Sequence, residues 1–271
     1  MKRRLKIVIS LGYYVCISIR RLARRFLGVG TADPLVVLLY HAVPDEARAR
    51  FARQMSIVSR YAQVVAADEA PRTTEGRRAV AITFDDAFRS VAQNAVPELA
   101  RRSFPATIFV PAGVMGRSPD WGFESDSMDK AESVMTQEEL RQLASDLVTL
   151  GSHSTTHSRL SDLDDARLRD EVGGSRHLLE QAVGNNVTLF AFPYGAYDDR
   201  VVDACRTAGY TRVFSVDPRA AAIDGSDYVR GRIEVELSDG ALEFFLKIHG
   251  AYAWMVHASA LKRRFVGLSV G

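Results

Sequence analysis

"RAVAITFDD", residues 78–86, is a mostly apolar run that ends on two adjacent aspartates. A short run of this kind, without polar alternation, reads as a strand covered on both faces, as in a parallel sheet. Asp85 and Asp86 then stand where that buried strand ends. Neighbouring carboxylates repel each other, and burial raises the cost further. A chain that places both there needs a group nearby that offsets the repulsion, or good solvation of the pair.

Working outward, "LVVLLYH" (35–41) and "PATIFVPAG" (105–113) read as further buried strands. "LVTLGSHSTTH" (147–157) reads as a short strand entering a polar loop, and "VTLFAFPYG" (187–195) as a strand entering a turn. "YTRVFSV" (210–216) and "YVRGRIEVEL" (228–237) complete the strands. Helical spacing separates them. In 47–62, Phe51, Met55, Val58 and Tyr61 recur every three or four residues. A helix follows over 90–103. Another over 136–146 opens with Thr136 and Glu139 in a capping-box pattern. Helices over 164–184 and 198–209 are stopped by Gly184 and Gly209. Alternating units of this length predict an α/β fold with a mainly parallel sheet and right-handed crossovers. A barrel and an open doubly wound sheet both satisfy the pattern. No G-x-G-x-x-G or Walker sequence follows an early strand, which argues against a nucleotide-binding sheet. Residues 116–134 are polar and aperiodic, as an inserted loop over the strand tops would be.

The chain has 271 residues and a net charge of +2, unevenly spread. Residues 1–25 carry eight of the 35 basic side chains and no acidic one, leaving 27 basic against 33 acidic residues in the body. A mildly acidic body argues against a nucleic-acid binder. Cys16 and Cys205 imply no disulfide framework. Within the N-terminal segment (1–30), the uncharged stretch Ile7–Ile19 has 13 residues, whereas a spanning helix needs about 20. "RRLARRF" (20–26) stands where an export signal would have a small-residue cleavage site. The reading favoured is a basic, partly apolar helix at a membrane surface; an export signal and an ordinary packed helix are the alternatives. Residues 240–271, with Phe244, Phe245, Trp254 and then Lys262, Arg263 and Arg264, read as a C-terminal amphipathic helix. It suits either a headgroup interface or packing on the domain.

The reactive residues gather at predicted strand ends: His41, the Asp85–Asp86 pair, His153 with His157, and the Pro193–Tyr194–Gly195 turn. In parallel α/β folds the C-terminal strand ends share one face, where such groups converge. Two histidines and a carboxylate suit a divalent metal that keeps open positions. One aspartate would hold the ion, which offsets the like-charge penalty. The other would stay free as a general base. Bound metal brings the pKa of water towards neutrality.

With these residues in order, the chain resembles the polysaccharide deacetylase family (carbohydrate esterase family 4, the NodB homology domain) over residues 35–236. "TFDD" matches its first motif, "SHSTTH" its second and "FPYG" most of its third. The resemblance implies a distorted (β/α) barrel flanked by the basic apolar N- and C-terminal helices. It implies Asp85 as general base, zinc or a similar divalent ion on Asp86, His153 and His157, and an oxyanion donor in the backbone N–H of Tyr194. The implied reaction is hydrolysis of N-acetyl groups on a polysaccharide, chitooligosaccharide or lipid-linked glycan.

Two positions depart from the family pattern. The third motif's arginine is replaced by Ala191, and Arg232 (or Arg230) is the candidate substitute. The late motif's histidine has no match near the end of the barrel. His41 in "LLYH" is the candidate general acid, resembling a rearrangement found in bacterial exopolysaccharide deacetylases; its alternative is a strand-end histidine bonded to backbone. Such a protein is expected to be membrane-associated in a bacterial cell, or exported. Oligomeric state is left open. Deformylase or amidase chemistry, and a catalytically idle glycan-binding member, are the competing readings.

Overall fold

The computed structural model describes residues 2–28, 34–69, 78–122, 128–222, 225–256 and 258. Helix α1 (Arg3–Phe26) precedes strand β1 (Val36–Tyr40). Then come α2 (Arg48–Tyr61), β2 (Ala62–Val64) and β3 (Arg78–Phe84). A π-turn over Val91–Ala95 leads into α3 (Val96–Ala100) and β4 (Ala106–Val110). Helix α4 (Gln137–Leu143) precedes β5 (Val148–Ser152). Helices α5 (Asp165–Arg169) and α6 (Ser175–Val183) are joined through a π-turn, so the helix expected over 164–184 is continuous but wound more widely at its middle. Strand β6 (Leu189–Ala191), α7 (Asp199–Thr207), β7 (Arg212–Phe214), β8 (Val229–Arg230), β9 (Ile233–Glu234) and α8 (Ala241–Ile248) complete the order.

All strand pairs in the sheet are parallel, in the order β8-β7-β6-β5-β4-β3-β1-β9, with β2 also paired to β3. Its two outermost strands, β8 and β9, are consecutive in the chain with only Gly231 and Arg232 between them. The sheet therefore curls round on itself, the barrel alternative of the two that the sequence left open. The single strand expected over 228–237 is in fact these two. Gly231 breaks it: a Cβ there would collide with the carbonyl oxygen of Asp217 and lie 2.8 Å from that of Arg219.

Alternation along the strands sorts side chains into two cores. Leu35, Val37, Ala79, Ala81, Phe109, Leu189, Ala191 and Phe214 fill the barrel interior. Val36, Leu38, Val80, Ile82, Ile108, Phe190 and Val213 face the helices. Small residues on β3 and β6 oppose large ones on β4 and β7, as a closed interior requires. Thr136 and Glu139 form the expected capping box, each side chain bonding the other's backbone N–H. Gly184 and Gly209 have positive φ just past α6 and α7, as their stop positions predict.

Helix α1 packs beside α8. Tyr14 meets Phe245 edge-on at 5.4 Å, the Trp254 indole N–H donates to Ser10 Oγ at 2.9 Å, and Arg3 pairs with Glu243 at 2.7 Å. No helix among the described residues is long and apolar enough to cross a membrane. Within the stretch expected as a helix over 240–271, α8 ends at Ile248, Gly250, at φ 68°, turns the chain, and residues 254–256 are helical again. Residues 123–127 of the expected loop, His257, and the basic cluster Lys262–Arg264 lie outside the described residues.

Candidate active site

Strand alternation puts Thr83 and then Asp85 on the interior side of β3, continuing the Ala79–Ala81 row. The ladder runs on past the strand ends. Asp85 N–H donates to the Tyr40 carbonyl (2.9 Å), and His153 N–H to that of Val110 (2.8 Å). The four motif loops thus leave the sheet at one rim. They enclose a cavity of about 280 Å³ lined by Asp85, Asp86, His153, His157, His41 and Tyr194, among others.

The backbone is strained just there. Of the six described non-glycine residues with positive φ, five belong to these loops: Asp86, Ala87, Ser154, His157 and Tyr194. Such conformations cost of order 1–3 kcal/mol each and persist only where surrounding structure enforces them. For His157 that enforcement includes its N–H bond to Ser154 Oγ at 3.0 Å.

Arg232 lies against Asp85. Its Nη1 donates to Asp85 Oδ1 at 2.6 Å and its Nη2 to Oδ2 at 2.8 Å, in a two-pronged pair with both side chains buried. Its guanidinium sits 5.3 Å from the centre of the Phe109 ring, and its Nε donates to the Ser215 carbonyl. Ala191, where the family pattern has arginine, faces the same interior. Arg230 turns elsewhere, to the carbonyls of Ala67 and Glu69. Burial pushes the Asp85 pKa up, but Arg232, with His153 and His41, outweighs it and holds the carboxyl down at about 2.

Asp86 contrasts with its neighbour. Burial, reinforced by Asp85 and Asp129, raises its pKa to about 7 against the pull of His41 and Arg232. Its Oδ1 lies 3.3 Å from His157 Nε2 and 3.8 Å from His153 Nε2, yet has no hydrogen-bond partner among the described residues. His153 Nδ1 contacts the Ala191 carbonyl at 2.8 Å and must carry the proton there, which leaves the Nε2 lone pair facing Asp86. Burial lowers His153 to about 4 and, with His153 beside it, His157 to about 2, so both imidazoles are neutral, the form that binds metal. One ligand atom from each of Asp86, His153 and His157 lies within 4.8 Å of the others. The three buried ligand atoms converge, and a divalent cation there would replace the proton that Asp86 otherwise holds up to about pH 7. That cation is also the partner that Asp86 needs beside Asp85.

His41, just past the end of β1 beside β3, is half-buried and lines the same cavity. Burial alone would lower its pKa, but Asp86, Asp85, Asp129 and Glu234 outweigh burial and raise it. Tyr194 sits at φ 57° in the Pro193–Gly195 turn, with its ring 4.6 Å from that of His157. His177 bonds Gln181 on an exposed helix face, and His249 packs between Tyr14 and Phe245; both lie outside the cavity.

The sequence reading missed Trp121. Its ring stacks on His157 at 4.3 Å and 27°. The loop that carries it is fastened back onto the Asp86 segment: Arg89 N–H bonds the Ser133 carbonyl and Met135 N–H that of Ala87. An aromatic in an aperiodic polar loop was the only signal for it. Glu234 and Asp129, which also line the cavity, carry none.

A family model described as polysaccharide deacetylase matches residues 72–213. The chain is 26% identical over 173 residues to the poly-β-1,6-N-acetyl-D-glucosamine N-deacetylase of Staphylococcus aureus (strain MSSA476), covering 63% of this chain and 58% of that one. It is 25% identical over 158 residues to YxkH of Bacillus subtilis (strain 168), covering 58% and 52%. It therefore spans little more than half the length of those relatives. Among solved structures it is similar to IcaB from Ammonifex degensii, with a TM-score of 0.64 and 26% identity over 82% of this chain and 97% of that one. A match over more than half the chain, with all three motifs meeting at one rim, means that the chain belongs to the polysaccharide deacetylase family.

Proposed function

We propose that this protein is a metal-dependent hydrolase that removes N-acetyl groups from an amino-sugar glycan and releases acetate. One observation carries the reading: a buried Asp–His–His cluster that fits a cation stands beside a second aspartate held ionised by a buried arginine. Asp86, His153 and His157 would hold the ion, with zinc foremost. When bound, it supplies a Lewis acid for the acetamide carbonyl and lowers the pKa of water.

The chain's own residues do the rest. Asp85 stays a carboxylate across the working pH range. Arg232 takes one lone pair on each of its oxygens and fixes the plane of the group; the remaining lone pairs can take a proton from the attacking water. The water oxygen bonds to the acyl carbon, the C–N bond breaks, and the leaving nitrogen takes a proton. His41, which lines the same cavity and whose proton the nearby carboxylates favour, is the candidate to give it. The Tyr194 backbone N–H is the candidate donor to the developing oxyanion. Trp121 and Tyr194 offer flat apolar walls of the kind a pyranose ring packs against. The likeness to the poly-β-1,6-N-acetyl-D-glucosamine N-deacetylase of Staphylococcus aureus favours a β-linked N-acetylglucosamine polymer among the possible substrates.

Asp85→Asn should cut acetate release from N-acetylglucosamine oligomers by about 10²–10⁴-fold, with the bound zinc stoichiometry unchanged. Normal turnover in that variant would remove Asp85 as base. Release of formate or ammonia instead of acetate would favour the deformylase or amidase reading.

A further inference from the structure

Helix α1 has two faces of opposite kind. Arg3, Ser10 and Tyr14 lie on the side that meets α8 and the turn after it. On the far side, Leu5, Val8, Leu11, Val15, Ile19, Leu22 and Phe26 form a row at three- and four-residue steps, each 42–82% exposed. Among the described residues nothing covers that row. At 3.6 residues per turn, Arg4 falls at one border of it, level with Leu22, and Arg20 lies nearest the other, while Lys6 and Arg24 stand further round towards the packed side. The helix contains no acidic residue.

We propose that this face lies in the plane of an anionic membrane, with the apolar row among the acyl chains and the basic edges at lipid phosphates. Charge decides between the two occupants an apolar helix row could take. A second copy would bring an equally basic helix against this one, whereas an anionic bilayer is complementary. The helix cannot span, so it lies flat. The proposal does not depend on the deacetylase reading.

The packing also sets the orientation of the domain. Arg3 reaches Asp239 and Glu243, just beyond the C-terminal end of β9 at the catalytic rim. Gly250, after the end of α8, lies against Val36, the first residue of β1 at the opposite end. Helix α1 runs with α8 along the barrel wall, so the barrel lies on its side. The cavity then opens along the membrane surface, within reach of a glycan held there.

The test uses full-length protein and vesicle co-flotation. Vesicles of phosphatidylcholine with phosphatidylglycerol should float the protein; phosphatidylcholine alone should not. Val15→Glu/Ile19→Glu should weaken binding to the anionic vesicles about tenfold or more. The same variant should keep its circular dichroism spectrum and its acetate release from soluble oligomers. Cys16 is exposed and Cys205 buried, so a polarity-sensitive dye on Cys16 should shift to the blue on anionic vesicles alone. Equal binding to neutral vesicles, or full binding by the glutamate variant, would overturn the proposal. So would a dimer in lipid-free solution that the same substitutions dissolve, because the row would then be covered by a second copy. Native protein that begins after residue 26 would overturn it too.

Discussion

Arg232 and Asp85 are 147 residues apart in the chain and 2.6 Å apart at the catalytic rim. Removing one partner from a buried pair of this kind leaves an uncompensated charge, at about 3–5 kcal/mol. Arg232→Met should therefore lower the urea midpoint sharply and take most of kcat with it. Arg232→Lys keeps the charge but has one point of contact where the guanidinium has two. It should fold with a smaller loss of stability and still turn over at least about tenfold more slowly, because the Asp85 plane is no longer fixed. Undiminished kcat in either variant would end the positioning role of Arg232. The two aspartates illustrate how strongly surroundings govern one side-chain type. They are adjacent in sequence, yet Asp85 is held at about 2 and Asp86 lifted to about 7. Only one of them faces a guanidinium.

At the scale of elements, the site depends on where strands stop. The first reactive residue of each motif stands one or two residues past a strand end, and alternation decides whether its side chain enters the barrel. The β8–β9 break is the clearest case. Residues 231–232 bridge the two ends of the sheet, and the close approach of the Asp217–Arg219 backbone requires glycine at 231. Gly231→Ala should cost about 1–3 kcal/mol as overpacking and should lower kcat by moving Arg232. Chemical denaturation and steady-state rates measured on the same preparation would show both; a loss of stability with no change in rate would separate closure from catalysis. The helices were readable in advance because their start and stop signals are local: Thr136 with Glu139, Gly184, Gly209. The split of 228–237 into two strands was not readable, since the contact that forces it comes from a distant loop.

At the scale of the whole molecule, the ion would join loops that follow β3 and β5, and its binding is linked to folding. A ligand at a hundredfold its Kd adds about 2.7 kcal/mol to the native state, on the order of several degrees in Tm for a domain of this size. Zinc should raise the melting temperature of chelator-treated protein by that amount, and His153→Ala should abolish the rise. A zinc-independent melting curve would argue against a cation at this site. The membrane face proposed for α1 is a separate property of the same molecule. It places the catalytic mouth beside a surface without changing its chemistry.

The strand–helix alternation, the acid pair, the paired histidines and their order along the chain were all legible in the residues. They express local propensity and short spacings, which need no tertiary contact to be read. The barrel rather than an open sheet, Arg232 rather than Arg230 against Asp85, Trp121 over His157 and the exposed row on α1 were decided by the fold. Each depends on groups far apart in sequence coming within a few ångströms, and no local pattern encodes that distance.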